Sequence, residues 1–356
     1  MRILQLAPIW ETVPPPAYGG TEAVVSVLTE ELVRRGHEVT LCGSGDSCTS
    51  AGLFSVYERS LRPVGLETDS LQYSLVHVAR SLAKARDFDV IHNHSGPPSE
   101  IAMALSCMVD VPFLTTLHNP LLDETRFIWS NYCGWYSAIS KTQTTMLPKL
   151  PLARSAGVVY NGIDVATFPF ESAKDDYVLF IGRMAPAKAP HLAIEVAKRA
   201  GVRIVLAGKV ALPEEHMYFR ECIEPLLDGK QVTFVGEADG VQKRELYAKA
   251  RAVLVPLMWD EPFGLVMIEA MACGTPVIAF KRGAAPEIIV DGQTGYLVND
   301  VDEMEAAMGR LSAIDPLVCR AHVESRFGPE ALADGYLKVY HQMLGIEEKV
   351  YEHANV

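Results

Sequence analysis

The fold is decided within residues 3–42, whose sequence is ILQLAPIWETVPPPAYGGTEAVVSVLTEELVRRGHEVTLC. Ile3–Ala7 is a short run that is apolar except for Gln5, which is typical of a strand buried on both faces. Thr21 opens a helical stretch with apolar residues at 24, 25, 28 and 32, and Gly36 ends it. Glu38–Cys42 reads as the next strand. This order predicts two parallel strands joined by a right-handed crossover.

The alternation of strand and helix signals continues along the chain. Further strands of the first half are predicted at Val90–His92, Phe113–Thr116, Trp135–Ile139 and Val158–Tyr160. The second half has a helix from about Pro190 and strands predicted at Tyr177–Gly182, Arg203–Gly208, Val232–Gly236, Ala252–Pro256 and Pro276–Phe280. We predict an α/β protein of two doubly wound, Rossmann-like domains, residues 1–162 and 163–334, with a linker near 161–174. Such domains create a ligand cleft at the carboxyl ends of their strands.

Composition excludes several classes of protein. The chain has 356 residues, 49% hydrophobic and 21% charged, which suits two soluble globular domains, and no apolar run approaches a membrane span. A formal net charge of −12 disfavours a nucleic-acid partner. The amino terminus shows no secretory signal, and the seven cysteines form no C-x-x-C pair. We therefore expect a cytoplasmic protein with reduced thiols.

Three patterns that could suggest a cofactor or a metal are weak. Gly43-Ser44-Gly45 lacks the third glycine of a dinucleotide fingerprint. Asp87-Phe88-Asp89 precedes its strand, away from the cleft, and Asp300-Val301-Asp302 reads as a helix start. His92 and His94 share one face of a strand and could chelate zinc, but no carboxylate or thiol stands at a matching offset. We expect no metal site.

The most informative stretch runs from Glu261 to Glu269. Glu261 lies in a loop before a helix, and the backbone N–H groups of Phe263, Gly264 and Leu265 are expected to be free there. The two carboxylates suit the hydroxyls of a hexose and a ribose, and the N–H groups suit an anion or sugar oxygens. The alternative is a capping acid followed by a solvated glutamate.

Other residues at strand ends favour a ligand site over the capping interpretation of Glu261 and Glu269. Gly182-Arg183 ends a strand and Lys188 follows in the same loop, so two cations stand where a diphosphate would bind. Gly19-Gly20 joins a strand to a helix N-terminus and allows a phosphate to come close. His118 lies just past a strand, on the cleft edge. Without a metal, the cations and helix dipoles must neutralise a leaving diphosphate.

With these residues in place, the chain resembles the retaining glycosyltransferases of family 4, which have the GT-B fold. The matching motifs, in family order, are Tyr18-Gly19-Gly20-Thr21-Glu22, Arg35-Gly36-His37-Glu38-Val39, Asp89-Val90-Ile91-His92-Asn93-His94, Thr116-Leu117-His118, Tyr160-Asn161-Gly162-Ile163-Asp164, Gly182-Arg183 with Lys188, Glu261-Pro262-Phe263-Gly264 through Glu269, Ala272-Cys273-Gly274-Thr275-Pro276 and Thr294-Gly295-Tyr296. Each motif alone is weak, but the ordered set is strong.

The resemblance implies a donor bound mainly by the second domain. Arg183 and Lys188 would hold its diphosphate, Glu269 its ribose, and Glu261 would sit beside the hexose. The N–H groups of residues 263–265 would also contact the donor. Members commonly have Lys-Gly where this chain has Lys188-Ala189-Pro190.

The resemblance also assigns the acceptor to the first domain, with the glycine loop and His118. A closing helix, about Ala331–Leu344, would cross back to the first domain, so we group residues of about 335–356 with it. Trp10, Tyr18, Trp129 and Trp135 are candidates for stacking on an acceptor.

The expected activity is metal-independent transfer of a hexose, from UDP-glucose or a similar UDP-sugar, to a soluble hydroxyl acceptor that is a small molecule or an oligosaccharide. We expect retention through front-side displacement, with His118, Arg183, Lys188 and Glu261 as catalytic residues and no cofactor. Two alternatives remain, a phosphorylase of the same fold and a non-catalytic nucleotide-sugar-binding module. Residues 1–160 carry 12 basic and 15 acidic side chains, so at most weak peripheral membrane contact is expected.

Overall fold

The computed structural model describes residues 1–17, 19–66, 70–96 and 100–346, and they form two parallel sheets. The first sheet has the order β3-β2-β1-β4-β5-β6-β7 and the second the order β10-β9-β8-β11-β12-β13. The strands of the first sheet are β1 (Arg2–Leu6), β2 (Glu38–Gly43), β3 (Gly52–Ser55), β4 (Val90–Asn93), β5 (Phe113–Leu117), β6 (Trp135–Ala138) and β7 (Arg154–Val158). Those of the second are β8 (Tyr177–Ile181), β9 (Arg203–Ala207), β10 (Val232–Phe234), β11 (Ala252–Val255), β12 (Val277–Phe280) and β13 (Gly295–Val298).

The helices lie along and between these strands. In chain order they are α1 (Gly20–Arg34), α2 (Ser70–Leu82), α3 (Ile101–Leu105), α4 (Arg126–Ser130), α5 (Lys141–Met146), α6 (Pro190–Arg199), α7 (Pro213–Tyr218), α8 (Gly240–Lys249), α9 (Leu265–Ala272), α10 (Ala285–Ile288), α11 (Val301–Met308), α12 (Pro316–Phe327) and α13 (Pro329–Leu344). In the part of the chain that the structure describes, none of these helices is both long and apolar enough to cross a bilayer.

The predicted fold class is confirmed. Each sheet reverses its strand order once, between β1 and β4 and between β8 and β11, as in doubly wound sheets. Ligands of such sheets bind beyond the carboxyl ends of the strands at this reversal. The site is therefore expected between the carboxyl edges of the two sheets.

Three strands differ from the sequence prediction. The strand predicted at Val158–Tyr160 is instead β7, where Arg154 pairs with Trp135 and Ser155 with Tyr136. β7 is a largely exposed edge strand, so it lacks the apolar run that marks buried strands. The edge strands β3 and β13 were not predicted; β3 is exposed or only partly buried, so it carries no buried apolar run.

The closing helix crosses back to the first domain, as predicted. Leu332, Tyr336 and Tyr340 of α13 are fully or almost fully buried in one cluster with Ile3 of β1 and Leu28 of α1. The helix begins at Pro329, earlier than either sequence estimate, and residues 347–356 of the predicted closing segment lie outside the described residues. α13 thus packs against β1 and α1 and connects the second domain to the first.

A half-buried carboxylate of the second domain binds the first domain. Glu287 of α10 accepts hydrogen bonds from the backbone N–H groups of Lys141 (2.8 Å) and Thr142 (2.7 Å), at the start of α5. It also accepts one from the Tyr160 hydroxyl, at 2.9 Å. Burial alone would raise the pKa of Glu287, but the hydrogen bonds from Thr142 and Lys141 lower it. The carboxylate is therefore charged and complements the dipole of α5.

Candidate active site

The two carboxyl edges face each other across a cleft that holds two adjoining cavities. The first, of about 270 Å³, is lined by Gly20 and His118 of the first domain and by Lys188, Glu261 and residues 263–265 of the second. The second, of about 190 Å³, is lined by Gly19, Arg183 and Glu269. Gly20, Gly182 and Leu265 line both cavities. The structure therefore brings every predicted site residue to one continuous cleft.

The N-terminus of α9 presents free backbone donors to this cleft. Among the described residues, the N–H groups of Phe263, Gly264 and Leu265 find no acceptor, as predicted from the sequence. Gly264 has a φ of 92°, and a Cβ there would lie 2.7 Å from the Met267 methyl carbon. This left-handed turn needs glycine, and it lets a ligand approach the helix end closely.

Lys188 and Glu261, predicted to contact different parts of a donor, pair with each other in this structure. The Lys188 ammonium forms an ion pair with the Glu261 carboxylate and lies 4.9 Å from the centre of the Trp259 ring. Both side chains are mostly buried, 21% and 15% exposed, which strengthens the pair. A bound anion would compete with Glu261 for Lys188.

The loop that carries Lys188 turns through a left-handed residue. Ala189 has φ 52° and ψ 49° and is the only non-glycine residue in the described ranges with a positive φ. This conformation costs an L-residue about 1 kcal/mol or more and is easiest for glycine. The alanine that distinguishes this chain from the Lys-Gly pattern therefore still makes the turn, at a cost in strain.

Arg183 is held by a carboxylate that the sequence did not point to. Its Nη1 donates to Glu215 Oε1 at 2.8 Å, and Glu215 is almost fully buried at the start of α7. The other oxygen of Glu215 accepts from the backbone N–H of Ala211, at 2.9 Å. One guanidinium N–H is thus used for positioning, and within the described ranges the other N–H groups of Arg183 have no partner and are available at the cavity that Arg183 lines.

Glu269 has two partners on α8 that were also missed. Lys243 Nζ donates to Glu269 Oε1 at 2.7 Å, and the Tyr247 hydroxyl donates to Oε2 at 2.9 Å. Burial and the neighbouring carboxylate keep the pKa of Tyr247 well above its usual value, so Tyr247 remains a donor. The i, i+4 spacing of Lys243 and Tyr247 places them on one face of α8, but nothing in the sequence showed that this face meets Glu269.

His118 lies at the end of a buried chain of histidines. Gln5 Nε2 donates to the Tyr340 hydroxyl at 3.2 Å, so its Oε1 accepts from His94 Nε2 at 2.6 Å. His94 Nδ1 is then the acceptor for His118 Nε2, 3.0 Å away. His118 is left with Nδ1 as its acceptor nitrogen. Burial lowers the pKa of His118 to about 3, so the ring is neutral and serves as a hydrogen-bonding group.

The histidines and aspartates of the patterns that could have suggested a metal have structural roles. The nitrogens of His92 bond to Tyr340 and Thr116, each at 2.7 Å, and those of His94 to Gln5 and His118. Asp89 forms an ion pair with Arg2, and Asp300 caps α11. No group of three or more His, Cys, Asp or Glu side chains in the described ranges could hold a metal ion.

Of the four aromatic residues considered for stacking on an acceptor, the structure favours Trp10. Trp129 is buried in the core and Trp135 lies on β6 beside a separate cavity, whereas Trp10 lines a small cavity next to His94. Tyr18 lies outside the described residues.

Two family models match adjoining parts of the chain. The model of glycosyl transferases group 1 matches residues 166–316, and the model of glycosyltransferase family 4 matches residues 18–167. Spore coat protein SA of Bacillus subtilis is 23% identical over 92% of this chain and 96% of its own length.

Two solved structures are similar over nearly the whole chain. AviGT4, a glycosyltransferase involved in avilamycin A biosynthesis, is 25% identical, with a TM-score of 0.73 over 97% of this chain and 98% of its own. HepE of Anabaena, solved in complex with UDP-glucose, has a TM-score of 0.67, 19% identity, and coverage of 96% of this chain and 100% of its own. The chain therefore belongs to glycosyltransferase family 4 and is a glycosyltransferase with the GT-B fold.

Proposed function

We propose that this enzyme transfers a hexose from a UDP-sugar, UDP-glucose or a close relative, to a soluble hydroxyl acceptor, with retention and without a metal ion. The observation that carries the proposal is the continuous cleft, in which two cations and a free helix N-terminus meet at Gly182. The similar fold of HepE, which was solved with UDP-glucose, supports the choice of donor. We also propose a cytoplasmic location, which the seven free cysteines support.

The donor would span both cavities. The ribose hydroxyls would bond to Glu269, whose carboxylate keeps lone pairs beyond those given to Lys243 and Tyr247. The diphosphate would lie at Gly182, between Arg183 and Lys188, and the hexose in the larger cavity beside Glu261 and His118. Binding of the diphosphate draws Lys188 from Glu261, and this frees Glu261 to accept from a sugar hydroxyl.

The proposed reaction is a front-side displacement. The acceptor oxygen forms a bond to the anomeric carbon as the bond from that carbon to the phosphate oxygen breaks. The departing phosphate oxygen takes the acceptor's proton, and Arg183, Lys188 and the N-terminus of α9 stabilise the growing negative charge. His118 is neutral and would accept from a hexose hydroxyl through Nδ1.

Product analysis separates this proposal from its alternatives. The enzyme is incubated with UDP-glucose and candidate acceptors, and UDP, glucose 1-phosphate and anomeric configuration are measured. We expect UDP release and an α-linked product from the α-linked donor. Release of glucose 1-phosphate from an oligosaccharide and inorganic phosphate, in a parallel incubation without any nucleotide, would identify a phosphorylase. Binding of UDP-glucose without any consumption would identify a binding module.

A further inference from the structure

Trp259 lies in the loop between β11 and α9, and its ring packs against the Lys188 ammonium. The ammonium is 4.9 Å from the ring centre, within the distance at which a cation is attracted to an aromatic face. The backbone N–H of Met258 donates to the carbonyl oxygen of Ala187 at 2.9 Å. This hydrogen bond joins the loop of Trp259 to the loop of Lys188, so the backbone holds the ring and the ammonium side by side.

The indole N–H does not explain why a tryptophan occupies this position. Trp259 Nε1 is buried and has no hydrogen-bond partner among the described residues, and an unpaired buried donor costs free energy. A phenylalanine or a leucine would pack in the same loop without that cost. What tryptophan adds is the aromatic face that attracts a cation most strongly. The contact with Lys188 therefore accounts for a residue that packing alone would not favour.

Trp259 does not reach the donor cavities itself, whereas its partner does. Of the described residues, Lys188 and Glu261 line the larger donor cavity, and Trp259 lines neither cavity. The ring is uncharged, so unlike a second carboxylate it attracts the ammonium without repelling a diphosphate. When the diphosphate draws Lys188 from Glu261, the ring is the partner that stays.

We propose that Trp259 is a positioning residue, whose ring holds the Lys188 ammonium at the diphosphate site while Lys188 exchanges the Glu261 carboxylate for the leaving diphosphate. The inference rests on the proposed function, because it takes this part of the cleft to hold the diphosphate. Lysine carries its charge on a flexible four-carbon stem, so without the ring the ammonium would spread over several positions once Glu261 releases it. Fewer molecules would then have the charge in place as the bond breaks, so the loss falls mainly on kcat.

A double-mutant cycle tests whether Trp259 acts through Lys188. UDP release from saturating UDP-glucose is measured, with water as the acceptor, for the full chain, Trp259→Leu, Lys188→Ala and the double variant. Trp259→Leu should lower kcat about tenfold, because a largely desolvated contact between a cation and a ring is lost. When Lys188 is already alanine, the same substitution should lower kcat less than about twofold. Trp259→Phe, which keeps a weaker ring, should lose less than about threefold.

A matched control removes a similar contact elsewhere. The Lys84 ammonium lies 4.8 Å from the centre of the Phe54 ring on β3, and Phe54 lines neither donor cavity, so Phe54→Leu should leave kcat unchanged. A second measurement keeps the shape of the side chain. Mono-, di- and trifluorotryptophan at position 259 weaken the attraction for a cation in steps, because fluorine withdraws electron density from the ring face. kcat should fall in that order, and this series decides the matter if Trp259→Leu does not fold.

The outcomes separate the inference from the proposed function. If the chain binds UDP but releases none from UDP-glucose, the proposed transfer is wrong. The same cycle in UDP affinity then tests the inference, and Trp259→Leu should weaken UDP only while Lys188 is present. Equal losses from Trp259→Leu with and without Lys188, or a kcat that stays constant along the fluorinated series, would show that Trp259 only supports its loop. If the chain does not bind UDP, both the proposed function and the inference fail.

Discussion

Lowering the pH from 7.5 to 5.5 should strongly destabilise the first domain. His77, His92, His94 and His118 lie in this domain, and burial lowers the pKa of each, to about 4 for His77 and about 3 for His118. In the unfolded chain the same side chains titrate near 6.5. Protons therefore bind the unfolded state first as the pH falls, so this stability is present above about pH 6.5 and is lost below it.

The size of this loss of folding stability follows from the linkage between proton binding and unfolding. Each histidine that stays neutral in the folded state at pH 5.5 contributes about 1.4 kcal/mol, and four contribute about 5 to 6 kcal/mol. Glu22, whose pKa is raised by burial, titrates with the opposite sign but is a single group. The loss is comparable with the whole stability of a typical domain, about 5–15 kcal/mol.

The assay is urea unfolding followed by tryptophan fluorescence in a Trp259→Phe background. The remaining tryptophans, Trp10, Trp129 and Trp135, then report on the first domain alone. His92→Gln should reduce the pH-dependent loss by about 1.4 kcal/mol, whereas the exposed His216→Gln should not change it. A loss below about 2 kcal/mol in the parent, or an unchanged loss in His92→Gln, would refute the assignment of neutral, buried histidines.

Three further predictions concern catalysis and the donor. Lys188→Ala should lower kcat on the order of 10² with a smaller change in KM, because charge on the diphosphate grows as the bond breaks; a change in KM alone would make Lys188 a ground-state contact. Turnover should persist in excess chelator, and activity that vanishes and returns with magnesium or manganese would contradict charge neutralisation by Arg183 and Lys188. Glu215→Gln should weaken UDP binding about fivefold, or about 1 kcal/mol by calorimetry, because Arg183 loses its charged anchor; unchanged affinity would show that the anchor is dispensable.

The sequence predicted the architecture and the strand ends because both follow from local patterns. Buried central strands such as β11 and β12 are continuous apolar runs, and parallel strands bring their carboxyl ends to one edge. From that rule we predicted that His118, Gly182 and Lys188 lie at one cleft. The edge strands β3 and β7 were missed or misplaced because exposure removes the apolar signal, and the edge strand β13 was missed as well.

The partners of the site residues could not be predicted, because they come from distant parts of the chain. Glu215 lies 32 residues beyond Arg183, and Lys243 lies 26 residues before Glu269. Nothing in either local pattern marks these pairs. The hydrogen bonds that join His94, Gln5 and Tyr340 likewise depend on how α13 returns to the first domain.

Four affinities test whether Glu269 binds the ribose and Glu261 the hexose. UDP and UDP-glucose are titrated by calorimetry into Glu269→Gln and Glu261→Gln. In Glu269→Gln the amide keeps one acceptor but loses the charge that now pairs with Lys243, so both dissociation constants should rise roughly 10- to 100-fold, or about 1.5–3 kcal/mol. Glu261→Gln should weaken UDP-glucose and leave UDP nearly unchanged. Equal weakening of UDP by both variants would contradict the assignment of the two carboxylates.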